Sequence, residues 1–279
     1  MIIDGHAHAC GAYLTPENIE KYLAIHGIDK VVLCGGEPNS IKNYAYPMLS
    51  NLFKGQKLSY FFNKIICRVT KMNHVANNID EQNEFVFNLS CQLPQKVINT
   101  YWANPLDEDC IHKLKEYYPI YKFKMIKLHQ CWTNFDISCE QCTAIFKWAT
   151  NHHLPVFIHL LSHEQVVKFV EIANIFMDTT FIVAHMIGAD YMNDTLKNEN
   201  VFFDLSAPQL YSLDILNKCM KNFGVQRLLL GSDTPYGIDN IDKVRKKLIQ
   251  LSLSDNEIAL ICGDNIANSC FEATGFNNF

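Results

Sequence analysis

The chain has 279 residues, 48% of them hydrophobic and 19% charged. This is enough apolar material for a sizeable core, and it excludes a disordered chain, a collagen-like repeat and a small disulfide scaffold. The 24 basic and 29 acidic residues leave a formal charge of −5, so no global positive field draws the chain to nucleic acid.

The first ten residues have neither a basic nor a long apolar segment and already contain His6 and His8, so they do not read as a signal peptide. No run of 18 or more uncharged apolar residues predicts a membrane-spanning helix, and no membrane partner is expected. The 11 cysteines are scattered and odd in number, which suits free thiols in a reducing, cytoplasmic setting. Cys139 and Cys142 form a C-x-x-C, but no second pair completes a zinc site and the pair falls where a helix starts.

Short β-rich apolar runs follow one another at Met1–Asp4, Lys30–Cys34, Val97–Trp102, Phe123–Leu128, Pro155–His159, Phe181–His185, Val201–Leu205 and Arg227–Gly231. Helical segments lie between them. Thr15-Pro16-Glu17 combines an N-cap with proline at the first helical position. Ser162-His163-Glu164 opens a segment whose Val166, Val167, Phe169, Val170 and Ala173 keep helical spacing. Leu253-Ser254-Asp255 begins a final helix. Near-continuous apolar strands alternating with helices predict a parallel sheet covered on both faces. Eight such units are the count of a (β/α)8 TIM barrel. A doubly wound sheet would more often place a glycine-rich phosphate turn after its first strand; here that position holds His6-Ala7-His8. Residues 1–279 therefore read as one barrel domain.

One connection is too long for a loop and a helix. Between strands two and three, Asn78–Pro94 supply the usual helix and leave about 37–77 as a lid-like insertion on the face where barrel active sites lie. No acidic residue occurs from Pro38 to Ile79, whereas Lys42, Lys54, Lys57, Lys64, Arg68 and Lys71 do, with Tyr44, Tyr46, Phe53, Tyr60, Phe61 and Phe62 among them. Two readings stay open. The stretch is a cationic lid favouring an anionic substrate, with Arg68 as a bidentate carboxylate or phosphate ligand. Alternatively its aromatics pack on the barrel or on a second subunit while its lysines face water. The stretch shows no long uninterrupted helix, which weighs against a membrane-surface segment.

His6 and His8 follow strand one, and His129, His159, His185 and Asp233 end strands four, five, six and eight. Side chains alternate along a strand, so His6 and His8 point to the same side. Neutral imidazoles with one carboxylate suit Zn²⁺ or another borderline divalent ion. Unrelated structural histidines have no reason to gather at the same end of four strands, with an aspartate at a fifth, so a metal centre is expected, with zinc ahead of manganese or iron.

These residues also carry a family resemblance. Ile3-Asp4-Gly5-His6-Ala7-His8, Ile126-Lys127-Leu128-His129, Val156-Phe157-Ile158-His159, Ile182-Val183-Ala184-His185, Leu230-Gly231-Ser232-Asp233-Thr234-Pro235 and Cys262-Gly263-Asp264-Asn265-Ile266-Ala267 occur in order along nearly the whole chain. In that order the chain resembles the metal-dependent amidohydrolase superfamily, in particular amidohydrolase family 2 and the branch typified by aminocarboxymuconate semialdehyde decarboxylase. The insertion is the main departure. The resemblance implies a distorted barrel with His6, His8, His159 and Asp233 around one divalent ion. His185 then contacts substrate and metal-bound water or ligates a second ion, and Asp233 is the general base. Lys127 is either a carboxylated bridge between two ions or a substrate or charge partner, and His129 touches substrate. Asp204, at the end of strand seven, either orients a ligand histidine or caps the next helix.

The resulting expectation is a metal-dependent hydrolase acting on an amide, lactone or related bond of a small anionic molecule. The alternatives are a metal-dependent non-oxidative decarboxylase of a small unsaturated carboxylic acid and a non-catalytic binding barrel. Self-association into a homo-oligomer is left open.

Overall fold

In a computed structural model describing residues 1–51, 57–72 and 75–271, the strands are β1 (Ile3–His8), β2 (Lys30–Cys34), β3 (Val97–Trp102), β4 (Met125–His129), β5 (Val156–His159), β6 (Phe181–Val183), β7 (Val201–Asp204) and β8 (Leu228–Leu229). They pair in parallel in chain order. The sheet closes between its ends: Gly5 N–H donates to Leu230 O, His8 N–H to Thr234 O and Asp233 N–H to His6 O, each at 2.8 Å. A Cβ on Gly5 would stand 2.7 Å from Leu230 O, so the close approach requires glycine. The architecture is the expected (β/α)8 TIM barrel.

Helices α1 (Pro16–His26), α2 (Lys57–Met72), α3 (Ile79–Gln92), α4 (Cys110–Tyr121), α5 (Glu140–Asn151), α6 (His163–Ala173), α7 (Ala189–Thr195), α8 (Leu213–Phe223), α9 (Asn240–Ile249) and α10 (Asp255–Ala259) connect or follow the strands. The expected caps form: Thr15 accepts from Asn18 N–H and Ser162 from Gln165 N–H, and Ser254 with Glu257 makes a capping box. Cys139 caps α5 with its sulfur, which accepts from Cys142 N–H at 3.4 Å. No helix among the described residues is long and apolar enough to cross a membrane.

Alternation along the strands sorts the barrel interior into layers. Ile3, Val32, Ile98, Met125, Phe157, Ile182, Phe202 and Leu229, one from each strand, form an apolar plug with Ile266 and Phe271 of the C-terminal segment. Two residues further along the same strands, on the same side, stand Lys127, His159 and Asp204, and His129 follows after two more. The other parity packs outward against the helices, as with Val31, Leu33, Ile126 and Ile158. In β1 the register shifts between Asp4 and Ala7, which brings His6 and His8 inside although Ile3 is also inside.

Three elements depart from the sequence reading. β1 begins later and runs through His8, because pairing of Ala7 with Leu33 and of His8 with Cys34 extends it past residues with no strand preference of their own. β6 stops at Val183, and His185 lies in a tight turn at φ 55. Between β2 and α3, where no long helix was expected, α2 runs uninterrupted for 16 residues. Its inward side mixes the buried polar Ser59 and Asn63 with half-buried Tyr60, Phe62 and Ile66, so no continuous apolar stripe announces it. Asn63 donates to Leu160 O and Leu161 O at 2.9 and 3.1 Å, and the Thr70 hydroxyl donates to Cys131 O at 2.9 Å. Of the aromatic and basic residues noted in this stretch, Phe53 and Lys54 lie outside the described residues.

The junction of α3 with β3 rests on one side chain. Asn83 accepts from Trp102 N–H at 2.7 Å and donates to Trp102 O at 2.9 Å, all buried. Asn83→Ala orphans both backbone groups, and urea denaturation should show a loss of about 2–4 kcal/mol.

Candidate metal centre

Three imidazoles are fixed in the same way, each by its Nδ1. His8 Nδ1 lies 2.7 Å from Gly35 O, an acceptor only, so Nδ1 carries the hydrogen. His185 Nδ1 lies 3.3 Å from Ser206 O and 2.9 Å from Ser206 Oγ. His6 Nδ1 lies 3.2 Å from Ser206 Oγ and 3.4 Å from Asp204 Oδ2. Each ring thus turns its Nε2 inward, and these nitrogens meet one carboxylate. His8 Nε2 is 3.4 Å and His6 Nε2 3.8 Å from Asp233 Oδ1, while His185 Nε2 is 3.9 Å from Asp233 Oδ2. All four side chains are largely buried. Histidines that ligate metals characteristically donate their other N–H to a carbonyl or carboxylate in this way. Donor atoms of this chemistry could hold a divalent ion, and His6 belongs to two such groups, with His8 and Cys34 and with His185 and Asp204.

Asp204 and Ser206 hold two of those rings. Asp204 accepts from the backbone N–H of His185 and of Ser206, each at 3.1 Å, and from the Ser206 hydroxyl. Asp204 is thus placed to orient ligand histidines, one of the two roles open to it. Both His185 and Asp233 have non-glycine left-handed backbones, at φ 55 and 57, a conformation that surrounding contacts must maintain. At Asp233 these include its N–H bond to His6 O. Ser206, Gly35 and Cys34 were not foreseen. Ser206 alone had a signal, two residues beyond Asp204 and so on the same side of a strand end.

The remaining predicted residues divide. Lys127 Nζ is 2.7 Å from His6 Nε2 and 3.9 Å from the centre of the Phe157 ring, so it shares the nitrogen offered to the ion. His159, expected among the ligands, stands beside this set, its ring centre 4.9 Å from that of His185. Its Nε2 faces Asn63 Oδ1 at 3.2 Å, and its Nδ1 faces His129 Nε2 at 3.0 Å. Its donor atoms also lie close to those of His129 and Cys131, as those of His6 do to His8 and Cys34 and to His185 and Asp204. His129 stacks on Trp132 at 4.6 Å. Arg68 is exposed on α2 and does not line the cavity above the centre.

That cavity, about 350 Å³, has His8, His129, His159, His185 and Asp233 in its floor and Phe62, Ile66, Trp132, Leu210 and Tyr236 among its walls. Among the described residues no lysine or arginine lines it, so the described cations of the insertion do not face the centre. A second cavity of about 340 Å³, beside Asp80, Trp102 and Lys113, contains none of the histidine cluster.

Electrostatics follow from burial and crowding. Desolvation and the Lys127 charge hold His6 well below its ordinary value and so keep it neutral. Burial likewise opposes the charge on His8, but Cys34 and Asp233 outweigh it and push His8 up to about 9. Burial alone would raise Asp233; His185, His8 and Lys127 hold it below the usual carboxylate range. Burial lowers Lys127.

Two measurements test the centre. Ser206→Ala, which removes the shared hydroxyl from both His6 and His185 and leaves each one weaker Nδ1 partner, should weaken metal affinity about tenfold in a chelator competition while leaving the circular dichroism unchanged. Because a bound ion displaces the His8 proton, affinity should rise with pH by up to about tenfold per unit and level off above about pH 9.

Solved structures resemble the chain along its whole length. An uncharacterised TIM-barrel protein from Bordetella bronchiseptica is 12% identical with a TM-score of 0.69, over 98% of this chain and 99% of that one. A protein described as a probable 2-pyrone-4,6-dicarboxylic acid hydrolase from Acinetobacter baumannii is 14% identical with a TM-score of 0.65, over 98% and 99%. The 2,6-dihydroxybenzoate decarboxylase from Rhizobium is 11% identical with a TM-score of 0.64, over 99% of each chain. At these identities the likeness is one of fold. A search of curated proteins gave no match. The amidohydrolase family profile matches residues 70–268, well over half of the chain, and the chain therefore belongs to the amidohydrolase family.

Proposed function

We propose that this amidohydrolase is a metal-dependent hydrolase that opens a C–N or C–O bond, in an amide, lactone or related group, of a small substrate with an apolar body and an anionic end. The observation that carries this reading is the convergence of three Nε2 atoms on Asp233, each ring held by its Nδ1. A divalent ion, zinc before manganese or iron, when bound there supplies Lewis acidity and a lowered pKa for water.

The chain's own residues do the rest. Asp233 is ionised at neutral pH and accepts the proton of the attacking water at a carboxylate oxygen, then returns it to the leaving group. His185 Nε2, 3.9 Å from Asp233 Oδ2, steadies that carboxylate and faces the cavity where a substrate oxygen would lie. Trp132, Tyr236 and Phe62 exclude water and hold the substrate's apolar body, with His129 beside them. Lys127 provides positive charge under the floor for the anionic end, or carries a bridging carbamate if two ions bind. Residues 1–279 act as one barrel domain, with about 37–77 as its lid.

A second reading is non-oxidative decarboxylation, favoured by the apolar walls, which would desolvate a substrate carboxylate above Lys127. Both readings require the same centre. With metal-loaded protein and a panel of lactones, amides and unsaturated carboxylic acids, His6→Ala and Asp233→Asn should each lose at least about 100-fold in turnover with the fold intact. Chelation should abolish activity, and Zn²⁺ or Mn²⁺ should restore it. Full activity in both variants refutes the assignment, and CO2 release without uptake of solvent oxygen selects the second reading.

A further inference from the structure

The outer face of α2 carries two adjacent rows. Phe61, Ile65, Val69 and Met72 follow helical spacing and are 59, 41, 48 and 77% exposed, an unusual set for a helix that also buries a face against the barrel. Lys57, Lys64, Arg68 and Lys71 repeat with the same spacing beside them and are all exposed. No ion pair engages these four cations among the described residues, and no acid occurs from Pro38 to Ile79 to neutralise them.

The structure points to α2 as a docking surface for an anionic lipid bilayer. A helix about 24 Å long that presents phenylalanine and aliphatic residues beside a row of lysines and arginine has the chemistry of a segment lying in a membrane interface. Its apolar row enters the acyl boundary and its cations meet the headgroup charge. A second copy of the chain fits less well, since a two-fold contact through α2 would set its four cations against the same four. A nucleic acid would use the cations but leave the apolar row wet.

The position of the surface has a consequence for the cavity. Ile65 and Val69 belong both to the exposed row and to the cavity wall, so the row runs into the cavity mouth. Docking through α2 turns that mouth toward the bilayer. The surface is peripheral and independent of the catalytic reading, because binding is measured without turnover.

The test is co-sedimentation of the full chain with phosphatidylcholine vesicles, with and without phosphatidylserine, at low and at raised ionic strength. The expected result is partition onto the phosphatidylserine vesicles that falls as salt is raised. The double variant F61S/M72S should reduce it roughly tenfold or more, and K64Q/K71Q roughly fivefold for each cation removed. None of these four residues lines the cavity, so catalysis of any kind should be unchanged. Absence of partition, or partition unaffected by both variants, overturns the proposal. A dimer in light scattering that F61S/M72S dissolves, with no vesicle binding, overturns it in favour of self-association.

Discussion

The closure of the barrel between β1 and β8 is the constraint on which the site depends. His6 and His8 lie near the start of the chain and Asp233 near its end, and only the bonds that join these two strands bring them together. Asp4 reinforces the seam. Its buried carboxylate accepts from Ser232 N–H and Oγ at 2.8 and 2.6 Å and from the Tyr13 hydroxyl at 2.9 Å. Burial pushes Asp4 up to about 7 against the pull of those bonds. The group is therefore costly to ionise and costly to remove, as buried polar networks are.

Above that seam the site is organised from behind. The catalytic potential of an imidazole depends on which nitrogen is free, and here the choice is made by groups that never face the cavity: Gly35 O, Asp204 and Ser206. Ser206 serves two rings at once, so one small hydroxyl couples the orientation of His6 to that of His185. The same logic distinguishes His159, whose Nε2 is taken by Asn63 from α2. The segment between β2 and α3 thus reaches the histidine cluster through a polar residue on its inner face, while its described cations lie outside the cavity lining.

Much of the fold was legible because strand hydrophobicity and helix caps are local. Thr15 and Ser162 announce their helices through hydroxyls that bond within one turn. The length of β1 was not legible, since Ala7 and His8 become strand only by pairing with Leu33 and Cys34. Nor was α2, whose fully buried residues include the polar Ser59 and Asn63 while Phe61, Ile65, Val69 and Met72 are exposed, which blurs the usual amphipathic signal. The family resemblance named the histidines and Asp233 together, but Arg68, read as a ligand for an anion, lies exposed on the helix's outer side.

By itself the sequence determined the count and order of the strands, the clustering of histidines at their ends and the excess of cations after β2. These are properties of composition and of a two-residue period. Tertiary structure decided which nitrogen each histidine offers, which of them face Asp233, and that the described cations of the basic stretch lie outside the cavity lining. Each of those outcomes depends on partners far apart in the chain, such as Ser206 for His6 and Asn63 for His159, and on the left-handed turns at His185 and Asp233. Local pattern cannot encode them, because the energies involved arise only when the barrel has closed.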